Sequence, residues 1–138
     1  MGLGRNISHL LAALVNNRAD FHRRWNDSAT TAERWQGEWV SEANGHRGAL
    51  RCLLTKTESG VFQASFHAVY AKFLTVCYTV PLRGQMSDGK LQLEGEADLG
   101  KLAGGVYHYH GTLVESAFNC TYQCAYDHGI FQLTPWRR

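Results

Sequence analysis

The stretch VFQASFHAVYAKFLTVCYTVPLRGQ, from Val61 to Gln85, decides the fold. Phe62, Ala64, Phe66, Ala68 and Tyr70 fall on every second position, and after a short break so do Leu74, Val76, Tyr78, Val80 and Leu82. A period of two is the signature of a strand with one buried face, whereas a helix repeats every three to four residues. The stretch therefore predicts two consecutive strands, Val61 to Ala71 and Phe73 to Gln85, whose listed side chains point into a core. Pro81 is the exception to explain, because it has no N–H for a ladder; a bulge, or an opening of the sheet beside this strand, would accommodate it.

Working outward, the same alternation predicts strands at Gly37 to Glu42, Gly48 to Thr57, Lys90 to Glu96, Val106 to Glu115, Phe118 to Ala125 and Ile130 to Thr134, making eight. ESG, SDGK, ESA and DHG are short hairpin turns, and only ADLGKLAGG is longer. Short turns between consecutive strands give an up-and-down meander, and eight strands remove their exposed edges by pairing the first with the last. The expected fold is all-β: an eight-stranded antiparallel up-and-down β-barrel at residues 35–138, with a helical arm and linker at residues 1–34. Leu50, Cys52, Leu54, Leu91, Leu93, Tyr107, Tyr109, Leu113, Phe118, Cys120, Tyr122, Cys124, Phe131 and Leu133 share the inward parity, and Trp39 faces them.

Composition narrows the partners. The 138 residues are enough for one core, and 14 Lys plus Arg against 12 Asp plus Glu leave a formal charge of only +2. No field of that size favours nucleic acid, and His22-Arg23-Arg24 is too short for a basic patch. Residues 7–15 are apolar but too few to span a bilayer, and no small-residue cleavage pattern follows them, which favours a cytoplasmic location. Ile7, Leu10, Leu11 and Leu14 form a helical stripe, a candidate surface for self-association. The four cysteines lack zinc-finger spacing and read as small, reduced core residues. His108 and His110 share one side of a strand, a metal-ligand spacing, but their parity and that of His67 is outward. No nucleophile elbow, phosphate loop or HExxH is present, and no cofactor or metal is expected.

WQGEWVSE, with Gly37-x-Trp39 on the first strand, resembles the signature of lipocalins, avidins and related calycin barrels. From Trp35 onward the chain also resembles small bacterial lipocalin-like proteins carrying SExxGHxGxLR, DLGxLAGGxYxY and DHGxF segments. The resemblance implies a barrel that holds a small, largely apolar molecule. It further implies that Trp39 packs across the closed end, with Arg137 or Arg138 as the basic residue over it. It supplies no catalytic residues, because calycins as a class share none.

An up-and-down barrel places every second turn at the same end. SEANGHRG and YDHG, each a histidine among glycines and polar groups, are thereby brought to one rim. The turns after the first, third, fifth and seventh strands carry Asn44 and His46, Lys72, Asp98 and Lys101, and Asp127 and His128. Beneath lie Tyr70, Tyr78, Tyr107, Tyr109, Tyr122 and Tyr126, which makes this end a candidate pocket with apolar walls, a few hydroxyls and titratable groups at its mouth. The leading expectation is a binding module for a small hydrophobic or aromatic ligand, with its mouth at His46 and His128. Alternatives are a small enzyme using a His/Asp pair there, or an interaction protein in which the two histidines only cap their turns and the tyrosines fill a tight core.

Overall fold

The computed structural model describes residues 18–70, 74–101 and 104–137. Eight strands, β1 (Glu33–Ser41), β2 (Arg47–Glu58), β3 (Val61–Tyr70), β4 (Leu74–Ser87), β5 (Lys90–Asp98), β6 (Val106–Val114), β7 (Ala117–Gln123) and β8 (His128–Pro135), follow one another around a closed antiparallel barrel. Closure is made by β1 against β8, from Trp35 opposite Pro135 to Ser41 opposite Gly129. Residues 18–26 form a helix, α1, ahead of β1. No helix among the described residues is long and apolar enough to cross a membrane.

Alternation places the core as expected. Leu50, Cys52, Leu54, Ala64, Phe66, Val80, Leu82, Leu93, Phe118 and Leu133 are all buried within one cluster inside the barrel. β1 begins at Glu33, so the expected boundary at residue 35 falls inside it, and Trp35 joins the interior at 3% exposure. Tyr70 and Leu74, both of inward parity, are instead exposed at the rim, where β3 and β4 end.

Pro81 lies where one ladder ends. β4 pairs with β3 from Leu74 opposite Tyr70 to Arg83 opposite Val61, but with β5 only from Arg83 opposite Glu94 to Ser87 opposite Lys90. The Gly84 N–H donates to Gly60 on the β3 side, so by alternation the N–H that Pro81 lacks belongs to the β5 side, beyond the last pair. Gly95 passes so close there that a Cβ would sit 2.2 Å from the Pro81 carbonyl oxygen. Neither expected device is found: the barrel stays closed, and Pro81 is accommodated because the β4–β5 ladder ends before it.

β3 is buried on both faces, because α1 covers its outside. Phe21 and Trp25 are shut in with Leu53 and Cys77, and burying side chains of this size contributes about 1.5–3 kcal/mol each. Arg24 donates to Ser65 Oγ at 3.2 Å, and Arg34 donates to the carbonyls of Trp25 and Asp27 at 2.7 and 2.6 Å. The described part of the arm is thus docked on its own barrel. The stripe Ile7, Leu10, Leu11, Leu14 lies outside the described residues, as do Lys72 and Arg138.

Candidate functional site

The two ends of the barrel are filled differently. Toward the chain's entrance into β1, Trp35, Leu54, Leu82, Leu93, Phe118 and Leu133 pack without remaining exposed, and Trp35 meets Phe118 edge to face at 5.9 Å. At the other end lies a cavity of about 290 Å³. Its buried walls are Tyr78, Tyr109, Tyr122, Phe131 and Leu99; Ala68 and Val76 are half-buried, and Trp39, Tyr70, Tyr107 and Asp127 surround the mouth. Phe66 packs against Tyr78 and Phe131, with ring centroids 5.3 Å apart in each case, and separates the cavity from the packed half.

Trp39 is therefore at the open end, and the closed end is occupied by Trp35. This corrects the placement implied by the Gly-x-Trp resemblance. The reason is register: β1 starts six residues before Trp39, whose indole Nε1–H donates to the Val69 carbonyl at 2.9 Å near the end of β3. Gly37 has its own cause, since a Cβ there would lie 1.9 Å from the Gln132 carbonyl oxygen of β8. Arg34, rather than Arg137, stacks on a tryptophan at the closed end, with its guanidinium 5.5 Å from the Trp136 ring.

The tyrosines form a connected wall. Tyr107 and Tyr122 are 6.2 Å apart, Tyr122 and Phe131 5.2 Å, and Tyr109 and Phe131 6.1 Å, with tilts of 30–43° between neighbouring planes. Burial pushes the phenols of Tyr78, Tyr107, Tyr109 and Tyr122 well above their ordinary range, so all four keep their protons at neutral pH. For Tyr122 the neighbouring Asp127 carboxylate adds to the effect. The buried Tyr109 hydroxyl lies beside that of Tyr78, and the two phenols interact.

Asp127 turns into the cavity because two side chains hold it. Its Oδ1 accepts from Ser41 Oγ at 2.5 Å, and its Oδ2 accepts from the Tyr122 hydroxyl at 3.1 Å. Ser41 Oγ in turn accepts from the N–H groups of Ala43 and Asn44. The turns SEANGHRG and YDHG are thus joined, as their shared rim implied, but not through their histidine side chains. The Glu42 N–H donates to the His128 carbonyl at 2.8 Å, and the Ser41 N–H donates to the His46 carbonyl at 2.8 Å.

Of the expected site residues, Tyr70, Tyr78, Tyr107, Tyr109, Tyr122 and Asp127 line the cavity. The others serve the turns or the surface. Asn44 Oδ1 accepts from the His46 N–H, and both residues are exposed. Asp98 Oδ1 accepts from the Gly100 N–H. His128 is an exposed first residue of β8, opposite Gln123, and Tyr126 is 83% exposed outside the cavity. The mouth expected at His46 and His128 is framed instead by Trp39, Tyr70, Tyr107 and Asp127. Neither Asp98 nor Asp127 bonds a histidine among the described residues, so the acid–base pair of the enzyme alternative is not formed.

Ser41, Trp39, Leu99 and Phe131 were not among the expected site residues. Parity offered the signal for three of them, because Trp39, Ser41 and Phe131 lie on inward positions; Leu99 follows β5, where alternation has stopped. His108 lies outside, with its Nδ1 3.4 Å from Glu96 on the neighbouring strand, and no three His, Cys, Asp or Glu groups are gathered for a metal among the described residues. Cys52, Cys77, Cys120 and Cys124 are buried and unbridged, and burial pushes the Cys120 thiol up to about 12. Compared with protein-family models, curated proteins and solved structures, the chain matches none, and its site is read from its own geometry.

Proposed function

We propose that this barrel is a binding module for a small, largely apolar or aromatic molecule, of the kind calycin-type barrels hold, taken up at the Trp39–Asp127 end. The observation that carries the reading is a cavity of about 290 Å³ walled by the buried rings of Tyr78, Tyr109, Tyr122 and Phe131 at one end of the barrel. That volume is at the small end of the ~300–1,000 Å³ typical of ligand pockets. The lining has the composition such sites use, with apolar rings for area and a few fixed polar groups for orientation. Rigid walls favour binding as well, because Ser41, Asp127 and Tyr122 are already bonded to one another and little ordering remains to oppose it.

A thermal unfolding series tests the proposal. A ligand that binds only the folded chain stabilises it by about 1.4 kcal/mol at ten times its Kd. 4-Ethylphenol at millimolar concentration should raise the Tm of the wild type and leave that of Ala68→Trp, whose indole would occupy the cavity, unchanged. No shift in the wild type, or equal shifts in both, would remove the support.

A further inference from the structure

Among the described residues that line the cavity, only Asp127 has an acidic or basic side chain of the Asp, Glu, Lys, Arg or His type. The walls are Trp, Tyr, Phe, Leu, Val and Ala, burial keeps the phenols of Tyr78, Tyr107, Tyr109 and Tyr122 protonated, and Asp127 is the single carboxylate among the described lining residues. Among the described residues no Lys, Arg or His lines the space. Among the described residues Asp127 has no ion-pair partner either, since the pairs present are made by Asp20, Glu38, Glu94 and Glu96. A carboxylate without a cation, set against aromatic rings, is an incomplete electrostatic arrangement.

We propose that the ligand is a small organic cation, an ammonium group on an aromatic or aliphatic body, whose charge sits at Asp127 and the surrounding rings. The proposal rests on the binding-module reading above and specifies its ligand class. Three observations carry it. The Asp127 carboxylate is oriented by Ser41 and Tyr122, each of which donates to a different oxygen, so each oxygen retains acceptor capacity for an incoming N–H. Tyr107, Tyr122 and Phe131 form a curved wall beside it, and aromatic faces attract a cation within about 6 Å. Deeper in, the buried Tyr109 hydroxyl, which interacts with that of Tyr78, offers one more polar contact at the far end of the ligand. An anionic ligand would meet the Asp127 carboxylate, and no basic group among the described lining residues would offset it.

The probes are three molecules of nearly the same shape: tyramine, which is protonated at neutral pH as a lysine is, neutral 4-ethylphenol, and anionic 3-(4-hydroxyphenyl)propionate. Affinities are measured by ¹H–¹⁵N NMR titration of the full chain, wild type and Asp127→Asn. The expected order in the wild type is tyramine over 4-ethylphenol by at least tenfold, with the propionate weakest. In Asp127→Asn the ratio of tyramine to 4-ethylphenol affinity should fall to within about twofold, whatever the change in 4-ethylphenol binding itself. If Asp127→Asn does not fold, the wild-type order still decides, together with a loss of the tyramine advantage as salt rises from 50 mM to 500 mM.

Equal binding of tyramine and 4-ethylphenol would overturn the cation inference and leave the binding module standing. A tyramine preference that survives Asp127→Asn would overturn the role of Asp127. Binding by none of the three would overturn both readings.

Discussion

Trp35 and Trp39 lie on the same strand and the same face of β1, four residues apart, yet one is sealed in a packed core and the other borders a cavity. The difference lies in their neighbours. Around Trp35 the barrel supplies leucines and Phe118, which interdigitate in many rotamer combinations and leave little space. Around Trp39 it supplies tyrosines, planar and stiff, whose hydroxyls need partners and so hold the rings along the wall. One half of the interior is built for density, and the other half is built around polar atoms that keep it from collapsing.

The largest expected effect comes from breaking the packed half. Trp35→Ala should cost about 3–5 kcal/mol in urea unfolding, whereas Trp39→Ala, half-buried and beside existing space, should cost no more than about 2 kcal/mol. Equal losses would erase the distinction between the halves. Next is Gly37→Ala, where the added methyl meets the Gln132 carbonyl and strand β8 must give way; an overpacking cost of about 1–3 kcal/mol is expected in the same measurement. Tyr122→Phe removes one hydrogen bond to Asp127 from the rim and should cost about 0.5–1.5 kcal/mol, while freeing the carboxylate to reorient.

The smallest effect should come from pH, and from outside the barrel. His67 is buried beneath α1, 5.4 Å from Phe21 and 5.0 Å from His22, and burial holds it below its usual 6.5, with the charges of His22, Arg51 and Arg18 acting in the same direction. Cys77 of β4 faces the same contact, and burial pushes its thiol up to about 11. The folded state thus disfavours protonated His67. The stability its neutral form supplies is complete above pH 6.5 and declines as pH drops through the lowered folded value. A Tm profile from pH 7.5 to 5 should slope downward in the wild type and less so in His67→Phe; identical slopes would assign the decline to other groups.

The barrel was legible in the sequence because its signal is local. Alternation from Phe62 to Leu82 named the inner face, and hairpin turns such as Asp88-Gly89, both at positive φ, ordered the strands. The site was legible only as far as alternation runs. Tyr78, Tyr109 and Tyr122 sit within strands and point where parity sends them. At the turns parity no longer applies, and hydrogen bonds decide instead. Asn44 Oδ1 ties up the His46 N–H, Tyr126 falls after β7 has ended, and Asp127 alone turns inward because Ser41 and Tyr122 hold it. Trp39 was assigned correctly to a face but to the wrong end, since position along a strand depends on where β1 starts, and four unremarkable residues before Gly37 already belong to it.

The most direct test of a barrel with one packed and one open half is a ¹H–¹⁵N NMR titration with 4-ethylphenol, mapped residue by residue. The account predicts shifts at Trp39, Ala68, Val76, Tyr109, Tyr122 and Phe131, with Trp35, Leu82, Leu93 and Leu133 unmoved. Shifts centred on the Trp35 half, or none at millimolar ligand, would contradict it.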